Sequence, residues 1–143
     1  MLINVKYPHN FDLSKDTVRP DLDMAYRLNK GREVYKYLNE DEIVAVVCVA
    51  YTNKIPTTIE SLHSLSRYHA KIVVPYTVWS LKGGFGATII FSLIDHLKKE
   101  RPEVERVVTL SPKTTMAYKF HTRNGAKQIA TNSESDNYEY FLN

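Results

Sequence analysis

The fold of this chain can be predicted from one stretch, Thr77–Glu100, which reads TVWSLKGGFGATIIFSLIDHLKKE. A run rich in β-branched residues leads into it from Lys71, as is typical of a strand. Three glycines follow, and apolar residues then recur on one face at helical spacing, namely Ile89, Ile90, Leu93, Ile94 and Leu97. The stretch therefore predicts a strand, a glycine-rich turn and an amphipathic helix.

This arrangement suits an anionic ligand, because a helix N-terminus presents free backbone N–H groups and partial positive charge. Gly83, Gly84 and Gly86 permit backbone conformations that other residues avoid, and they let a phosphate approach closely. Lys82 adds a cation at the same place. The spacing of a dinucleotide-binding loop and the ending of a P-loop are both absent. A plain connector between strand and helix is therefore the alternative interpretation.

The composition is that of an ordinary globular protein. The chain has 143 residues, of which 43% are hydrophobic and 24% charged, which predicts one domain over residues 1–143. No apolar run approaches the ~20 residues that span a bilayer, and the start lacks the features of a signal peptide. Cys48 is the one cysteine and is expected to be buried in a reducing environment. We therefore expect a cytoplasmic protein with no membrane partner.

Charge and histidine spacing bear on the other partners. The net charge is +3, and the Lys and Arg residues are scattered, whereas nucleic-acid-binding proteins concentrate them on one face. His63 and His69 are six positions apart, which fits no common pair of metal ligands. The sequence therefore predicts neither a nucleic-acid partner nor a metal site.

The remaining pattern predicts a mixed sheet with helices on its faces. Strands are expected over 2–7, 32–38, 43–52, 71–79, 106–111, 126–131 and 138–142, with a polar loop over 132–137. Helices are expected over 21–28, 57–65, 114–125 and from the glycine turn to Pro102. The run 43–52 is almost wholly apolar and predicts a central strand, paired with 32–38 in a hairpin. An exposed edge strand such as 138–142 would make a homodimer reasonable.

Two motifs resemble the GCN5-related N-acetyltransferase (GNAT) superfamily, which binds acyl-coenzyme A. They are Gly84-Phe85-Gly86 and the segment 117–126, AYKFHTRNGA. The resemblance implies an α/β (α+β) fold with a mixed, mostly antiparallel sheet of six to seven strands. Helices would flank this sheet, and it would be splayed at strands 4 and 5. It also implies acetyl-CoA or another acyl-CoA as the bound thioester, with an unidentified amine as acceptor.

The same resemblance implies the residues that would contact coenzyme A: Tyr76, Val78, Lys82, Gly83, Gly84, Phe85, Gly86 and Ala87. Leu81 stands where the family usually has Arg or Gln, so backbone N–H groups and Lys82 would have to bind the pyrophosphate. His121 stands where the family commonly has the Tyr that protonates the leaving thiolate.

A narrower resemblance is to the catalytic domain of malonyl-CoA decarboxylases. It rests on the segments 43–55, 81–83, 108–112 and 120–126. The catalytic His of that family falls on His121. Its partner Ser falls near Pro75, so Thr77 is the nearest hydroxyl that could substitute, alongside Tyr76. The resemblance also places Ser111 and Asn124 near the substrate, although helix capping by Ser111 is favoured over catalysis.

His121 suits two reactions. With an unperturbed pKa of ~6.5, it could protonate the thiolate after acyl transfer to an amine, while backbone N–H groups polarise the thioester. It could equally protonate the carbanion that decarboxylation of malonyl-CoA leaves, with Thr77 holding the carboxylate or the thioester oxygen. Acyl transfer is the favoured function. The alternatives are decarboxylation and acyl-CoA binding without turnover, and for His121 alone a purely structural role at a helix C-terminus.

Overall fold

The computed structural model describes residues 1–7 and 12–142. The strands are β1 Leu2–Val5, β2 Arg32–Asn39, β3 Glu42–Thr52, β4 Ile72–Ser80, β5 Arg106–Val108, β6 Lys127–Thr131 and β7 Asp136–Tyr140. The α-helices are α1 Met24–Leu28, α2 Ile59–Leu65, α3 Phe85–Glu100 and α4 Thr115–Arg123, and a 3₁₀ turn covers Leu13–Lys15. The predicted order of strands and helices is confirmed.

The described strands form one seven-stranded sheet in the order β1-β2-β3-β4-β5-β7-β6. Neighbouring strands are antiparallel except for β4 and β5, which are parallel and are connected through α3, because parallel strands need a crossover. The predicted hairpin is β2–β3. Its two turn residues, Glu40 and Asp41, have φ of 53° and 68°, as in the two-residue turns that match strand twist.

Each face of the sheet carries its own apolar cluster. The first cluster lies under α3 and includes Tyr35, Val47, Val49, Val73, Ile90, Leu93, Leu97, Val107, Tyr138 and Tyr140. The second lies under α1 and α2 and includes Val34, Val46, Cys48, Ala50, Leu62, Val74, Tyr76, Trp79, Val108 and Leu110. Each fully buried aliphatic side chain contributes about 1.5–3 kcal/mol. The apolar face of α3 that the sequence predicts provides several of the buried side chains in the first cluster.

The sheet opens between β4 and β5. Their register is limited to Ile72 opposite Arg106 and Val73 opposite Val107, and the N–H of Leu110 then donates to the C=O of Pro75 at 3.0 Å. Among the described residues no backbone hydrogen bond joins the strands beyond that point. The predicted splay at strands 4 and 5 is confirmed.

A β-bulge in β4 sets which side chains face the gap. Cys48 pairs with Thr77 and Val49 pairs with Pro75, so Tyr76 is the extra residue on β4. Tyr76 belongs to the second cluster and Val78 packs against the first. Thr77 lies opposite Cys48 and therefore points to the same face as the second cluster.

The C-terminal strands differ from the prediction. Strand β5 ends at Val108, short of the predicted Ser111. Beyond it Thr109 N–H donates to Tyr138 C=O at 2.8 Å, so the chain keeps following β7 while its hydrogen bonding to β4 ends at Leu110. Asp136 and Asn137 fall in β7 rather than in a loop. The buried Asn137 amide donates to the C=O groups of Pro56 and Thr109, which satisfies a polar side chain that the sequence pattern assigns to the surface.

The prediction of an exposed edge strand over 138–142 is wrong. Strand β7 lies between β5 and β6, and the edges of the described sheet are β1 and β6. Homodimer formation through 138–142 therefore has no free strand edge to use. None of the described helices has the length and apolar character needed to cross a membrane.

Candidate functional site

His121 lies in the last turn of α4. The N-cap of the helix is Thr114, whose hydroxyl accepts a hydrogen bond from Ala117 N–H at 3.1 Å. The helix ends before Gly125, whose φ of +91° is the left-handed conformation that glycine adopts readily. His121 is 5% exposed and stacks on Tyr138 with ring centroids 5.0 Å apart. Both helix ends are thus encoded locally, while the burial of His121 comes from β7.

The imidazole of His121 lies between two hydroxyl groups. Its Nε2 is 3.2 Å from Ser111 Oγ, and its Nδ1 is 2.7 Å from the Tyr140 hydroxyl. Ser111 Oγ is in turn 2.8 Å from Thr109 Oγ1. These four side chains, all buried, form a continuous hydrogen-bonded chain at the end of the sheet where β4 and β5 have separated.

Burial lowers the pKa of His121 to about 4, because the charged imidazolium loses its hydration. The expectation of an unperturbed pKa is therefore wrong, and the ring is neutral at pH 7. Burial also raises the pKa of the Tyr140 phenol, which stays protonated. A neutral imidazole has one donor and one acceptor nitrogen, so it can accept a proton on one nitrogen while the other donates to a neighbour in the chain.

The glycine turn lies next to α4. Gly84 caps the N-terminus of α3 with φ of +87° and no side-chain hydrogen bond, and Lys82, Gly83 and Gly84 are exposed. A Cβ added at Gly86 would come within 3.1 Å of the Phe120 ring. Glycine at position 86 therefore lets α3 and α4 approach closely, which brings the turn beside the residue that precedes His121.

The other residues expected to contact coenzyme A surround this turn. Lys82 Nζ lies 2.9 Å from Glu42, and both side chains are more than half exposed, so the ion pair is weak and Lys82 can exchange it for a phosphate. Phe85 packs against Tyr37 with centroids 6.2 Å apart. Ala87 is half-buried in the first turn of α3. The structure thus brings these residues together at one helix N-terminus.

Thr77 lies away from His121. Its hydroxyl is 2.9 Å from both carboxylate oxygens of Asp16 and donates to that carboxylate. Asp16 pairs with Arg27 at 2.8 Å, and both of these side chains are 0% exposed. The structure places this cluster on the face of the second apolar cluster, whereas the His121 ring stacks on Tyr138 of the first. Catalysis by Thr77 stays a prediction and has no contact with His121 to support it.

Two further expected residues have local partners. The Asn124 amide donates to Phe120 C=O at 2.7 Å and closes the end of α4, so its contact with substrate stays a prediction. Ser111 does not cap α4, because Thr114 does. The helix-cap interpretation of Ser111 is therefore wrong, and its side chain is available to His121 instead.

Arg19 is a residue that the sequence analysis missed. Its Nε donates to Tyr76 C=O at 2.8 Å and its Nη2 donates to Leu110 C=O at 3.0 Å, so the guanidinium spans the gap where the strands diverge. The backbone N–H of Arg19 donates to Asp16 Oδ1, and the C=O of Arg19 accepts a hydrogen bond from the Arg27 guanidinium. No local signal in a polar turn could have shown these partners.

Tyr140 was also missed, although a signal for it exists. Tyr138 and Tyr140 alternate in the last strand, and residues two apart share a face of a sheet. When one face of a strand carries two aromatic residues and packs beside a helix that has an inward-facing His, a contact between the His and these aromatic residues is expected. Thr109 and Ser111 follow the same rule two positions apart in the adjoining segment.

A cavity of about 240 Å³ opens at the gap on the face of the second cluster. We call it the gap cavity, and its polar lining includes Arg19, Thr58, Glu60, Glu134 and Ser135, with Leu110 beside the gap. Leu110 and Ser111 are consecutive and extended, so their side chains point to opposite faces. The cavity and the His121 chain therefore meet across the same segment from its two sides.

Across 1–7 and 12–142, no three or more His, Cys, Asp or Glu side chains are grouped so as to hold a metal ion.

Comparison with known proteins gives matches among solved structures. No protein-family model matches the chain, and no curated protein does. The GNAT-like decarboxylase GphF, in complex with isobutyryl-CoA, superposes with a TM-score of 0.75 at 12% identity over 100% of both chains. Malonyl-CoA decarboxylase from Agrobacterium vitis gives 0.67 at 20% identity, over 84% of this chain and 35% of that one.

GCN5 from Tetrahymena gives a TM-score of 0.59 at 10% identity, over 83% of this chain and 73% of that one. The chain spans about a third of the length of the malonyl-CoA decarboxylases that it matches. These matches accompany a mixed, mostly antiparallel seven-stranded sheet with one parallel pair, β4 and β5. The chain therefore has the GNAT fold, as its glycine turn and the segment 117–126 predict.

Proposed function

We propose that this chain is an acyl-CoA-dependent enzyme that transfers the acyl group from coenzyme A to an amine. The observation that carries the proposal is the chain Ser111–His121–Tyr140 beside the gap between β4 and β5. GNAT-fold proteins related to acyl-CoA, among them acetyltransferases, are its structural neighbours. An acyl thioester bound at the α3 N-terminus would reach the gap, with its sulfur near Ser111.

The glycine turn suits the pyrophosphate of coenzyme A. The α3 N-terminus has no side-chain cap. Its first N–H group, that of Phe85, has only a long 3.5 Å hydrogen bond to Lys82 C=O, so the first turn can donate to an anion. Lys82 provides a cation there. Gly83 and Gly84 have no other atoms within 4 Å of an added Cβ, which leaves space on the outer side of the turn. Tyr76 and Val78 would line the path of the thioester along β4.

Acyl transfer requires a proton to move from the attacking amine to the departing thiolate. The amine nitrogen forms a bond to the acyl carbon, the carbon–sulfur bond breaks, and the electron pair goes to sulfur. Neutral His121 can accept the amine proton through the Ser111 hydroxyl and return it to the thiolate by the same route, so the enzyme ends unchanged. Tyr140 holds the imidazole in one orientation throughout.

Decarboxylation of malonyl-CoA is a second candidate, and one observation favours it. The described groups that hydrogen-bond or stack with His121 are hydroxyls and aromatic rings, with no carboxylate among them. Ser111 can give its hydroxyl proton to the α-carbon after the carbon–carbon bond breaks and carbon dioxide leaves, His121 then replaces that proton, and a proton from solvent restores neutral His121. The overlay on the decarboxylase GphF covers the full chain.

The test is mass spectrometry of coenzyme A species and acylated products, with the wild type and His121→Ala side by side. Acyl transfer predicts an amine-dependent release of coenzyme A from acetyl-CoA that His121→Ala lacks. Acetyl-CoA formed from malonyl-CoA without any amine would overturn acyl transfer and establish the second candidate. Calorimetric binding of acetyl-CoA with no turnover of either thioester would overturn both and leave a binding module.

A further inference from the structure

The gap cavity has charges of both signs at different depths. Arg19 is the partly buried end of the lining, where it bridges the C=O groups of β4 and the segment after β5. Glu60, in the first turn of α2, and Glu134, in the loop between β6 and β7, line the cavity and are exposed at its mouth. Neither glutamate forms an ion pair with a described residue. The cavity is therefore cationic inside and anionic at its opening.

The Arg19 guanidinium has donors left for a ligand. Its Nε and Nη2 each donate to one backbone C=O, and no described residue accepts a hydrogen bond from Nη1. The neighbouring carboxylate, Asp16, is already paired with Arg27. A partly buried cation without a carboxylate partner favours an anion, and guanidinium groups bind carboxylates with directed hydrogen bonds.

The volume limits the ligand to a small molecule. A cavity of about 240 Å³ lies just below the ~300–1,000 Å³ typical of small-molecule pockets. A free amino acid with a long side chain suits such a space, whereas a folded protein surface does not enter it. The charges of the lining favour a ligand that has an anionic group beside Arg19 and a cationic group beside Glu60 and Glu134.

We propose that the gap cavity is the acceptor site and that its ligand is a free amino acid with a cationic side chain. This inference rests on the proposed acyl transfer. The carboxylate binds Arg19, which places the α-amine beside the gap, within reach of the thioester on the Ser111 side. The side-chain cation lies between Glu60 and Glu134. The reaction joins the α-amine nitrogen to the acyl carbon and releases coenzyme A, with the amine proton passing to its thiolate.

Three acceptors separate the contributions of the two ends. Lysine has both groups, norleucine lacks the side-chain cation, and cadaverine lacks the carboxylate. Initial rates with acetyl-CoA are expected to give kcat/KM for lysine at least fivefold above both of the others. Equal or higher values for norleucine or cadaverine would overturn the inference.

Substitutions of the lining residues test which residue is responsible for each preference among the three acceptors. The double variant Glu60→Gln/Glu134→Gln is expected to lose the preference for lysine over norleucine. Arg19→Met is expected to lose the preference for lysine over cadaverine. Glu100→Gln, which removes an exposed carboxylate at the end of α3 far from the cavity, is the matched control and should retain both preferences. Preferences unchanged in the cavity variants would contradict the assignment.

Binding separates this inference from the proposed function. Saturation-transfer NMR with coenzyme A present reports lysine binding without requiring turnover. Lysine that binds in preference to norleucine while no amine is acylated would support the site and overturn acyl transfer. Acylation of other amines, with lysine neither bound nor acylated, would overturn the site and leave acyl transfer standing.

Discussion

Nδ1 of His121 lies 2.7 Å from the hydroxyl of Tyr140, at a distance typical of a strong hydrogen bond. Removing this hydroxyl frees the imidazole to change tautomer and orientation. Tyr140→Phe is therefore expected to lower kcat about tenfold, less than the about 10²–10⁴ that a complete acid–base group contributes, because the imidazole itself stays in place. The KM for acyl-CoA should change less than twofold, since the coenzyme site lies at α3.

Tyr138→Phe is the control for this prediction. The Tyr138 hydroxyl is buried without a described hydrogen-bond partner, so its removal leaves no group unsatisfied. Steady-state kinetics should show Tyr138→Phe close to wild type. Equal losses of kcat in the two variants would show that the Tyr140 hydrogen bond has no special part in positioning His121.

Acid is expected to destabilise the fold through His121. Its folded-state pKa is lowered to about 4, below the unfolded value of about 6.5, so the unfolded chain binds more protons between these values. The contribution of His121 is present above pH 6.5 and is lost as the pH falls towards 4. Between pH 7 and pH 4.5 the loss is about 2 kcal/mol by the same linkage.

Urea unfolding of wild type and His121→Gln at both pH values isolates this effect, because the other titrating groups are common to both chains. The pH-dependent change in the free energy of unfolding should be smaller in the variant by about 2 kcal/mol. Identical pH dependence would show that His121 is protonated as readily in the folded state as in the unfolded one.

The buried pair Asp16–Arg27 is expected to be important for stability. Asp16→Ala leaves the fully buried Arg27 guanidinium without its carboxylate, and breaking a buried pair costs about 3–5 kcal/mol. It also removes the acceptor for Thr77 and for the backbone N–H groups of Val18 and Arg19. Glu105→Ala, which breaks the exposed pair with Lys71, is the control and should have no measurable effect on urea unfolding.

Two adjacent glycines in the turn are expected to differ. Gly84 has φ of +87°, whereas Gly83 is not in the left-handed region, and an added Cβ meets no other atom at either position. Gly84→Ala should cost about 1–2 kcal/mol of backbone strain, and Tm should fall by about 3 °C per kcal/mol for a chain of this size. Gly83→Ala should keep the wild-type Tm in a thermal unfolding scan.

The long apolar patterns were the predictable part of the fold. The unbroken run of β3 and the helical period of α3 each depend on neighbours in sequence, and both elements form as expected. The end of β5 was not predictable, because its pairing is decided by Tyr138, 29 residues from Thr109. Local patterns indicate which face is buried but do not identify the partner.

The candidate site shows the same division. The glycine turn and the α4 motif were visible in sequence because each is continuous. The Ser111–His121 contact spans 10 residues and depends on where β7 places Tyr138 and Tyr140. Arg19 reaches Leu110 across 91 residues. Contacts of that separation follow from the completed sheet, so no spacing rule could have indicated them.

The Arg19 bridge makes the segment 16–19 part of the same cooperative unit as the gap. If the Arg19 side chain moves away, the C=O groups of Tyr76 and Leu110 lose their hydrogen bonds to it. The backbone N–H of Arg19 is itself hydrogen-bonded to the buried Asp16. Local opening of this segment and widening of the gap are therefore one event. Slow hydrogen exchange at the Arg19 amide would then act as a reporter of whether the site between β4 and β5 is assembled.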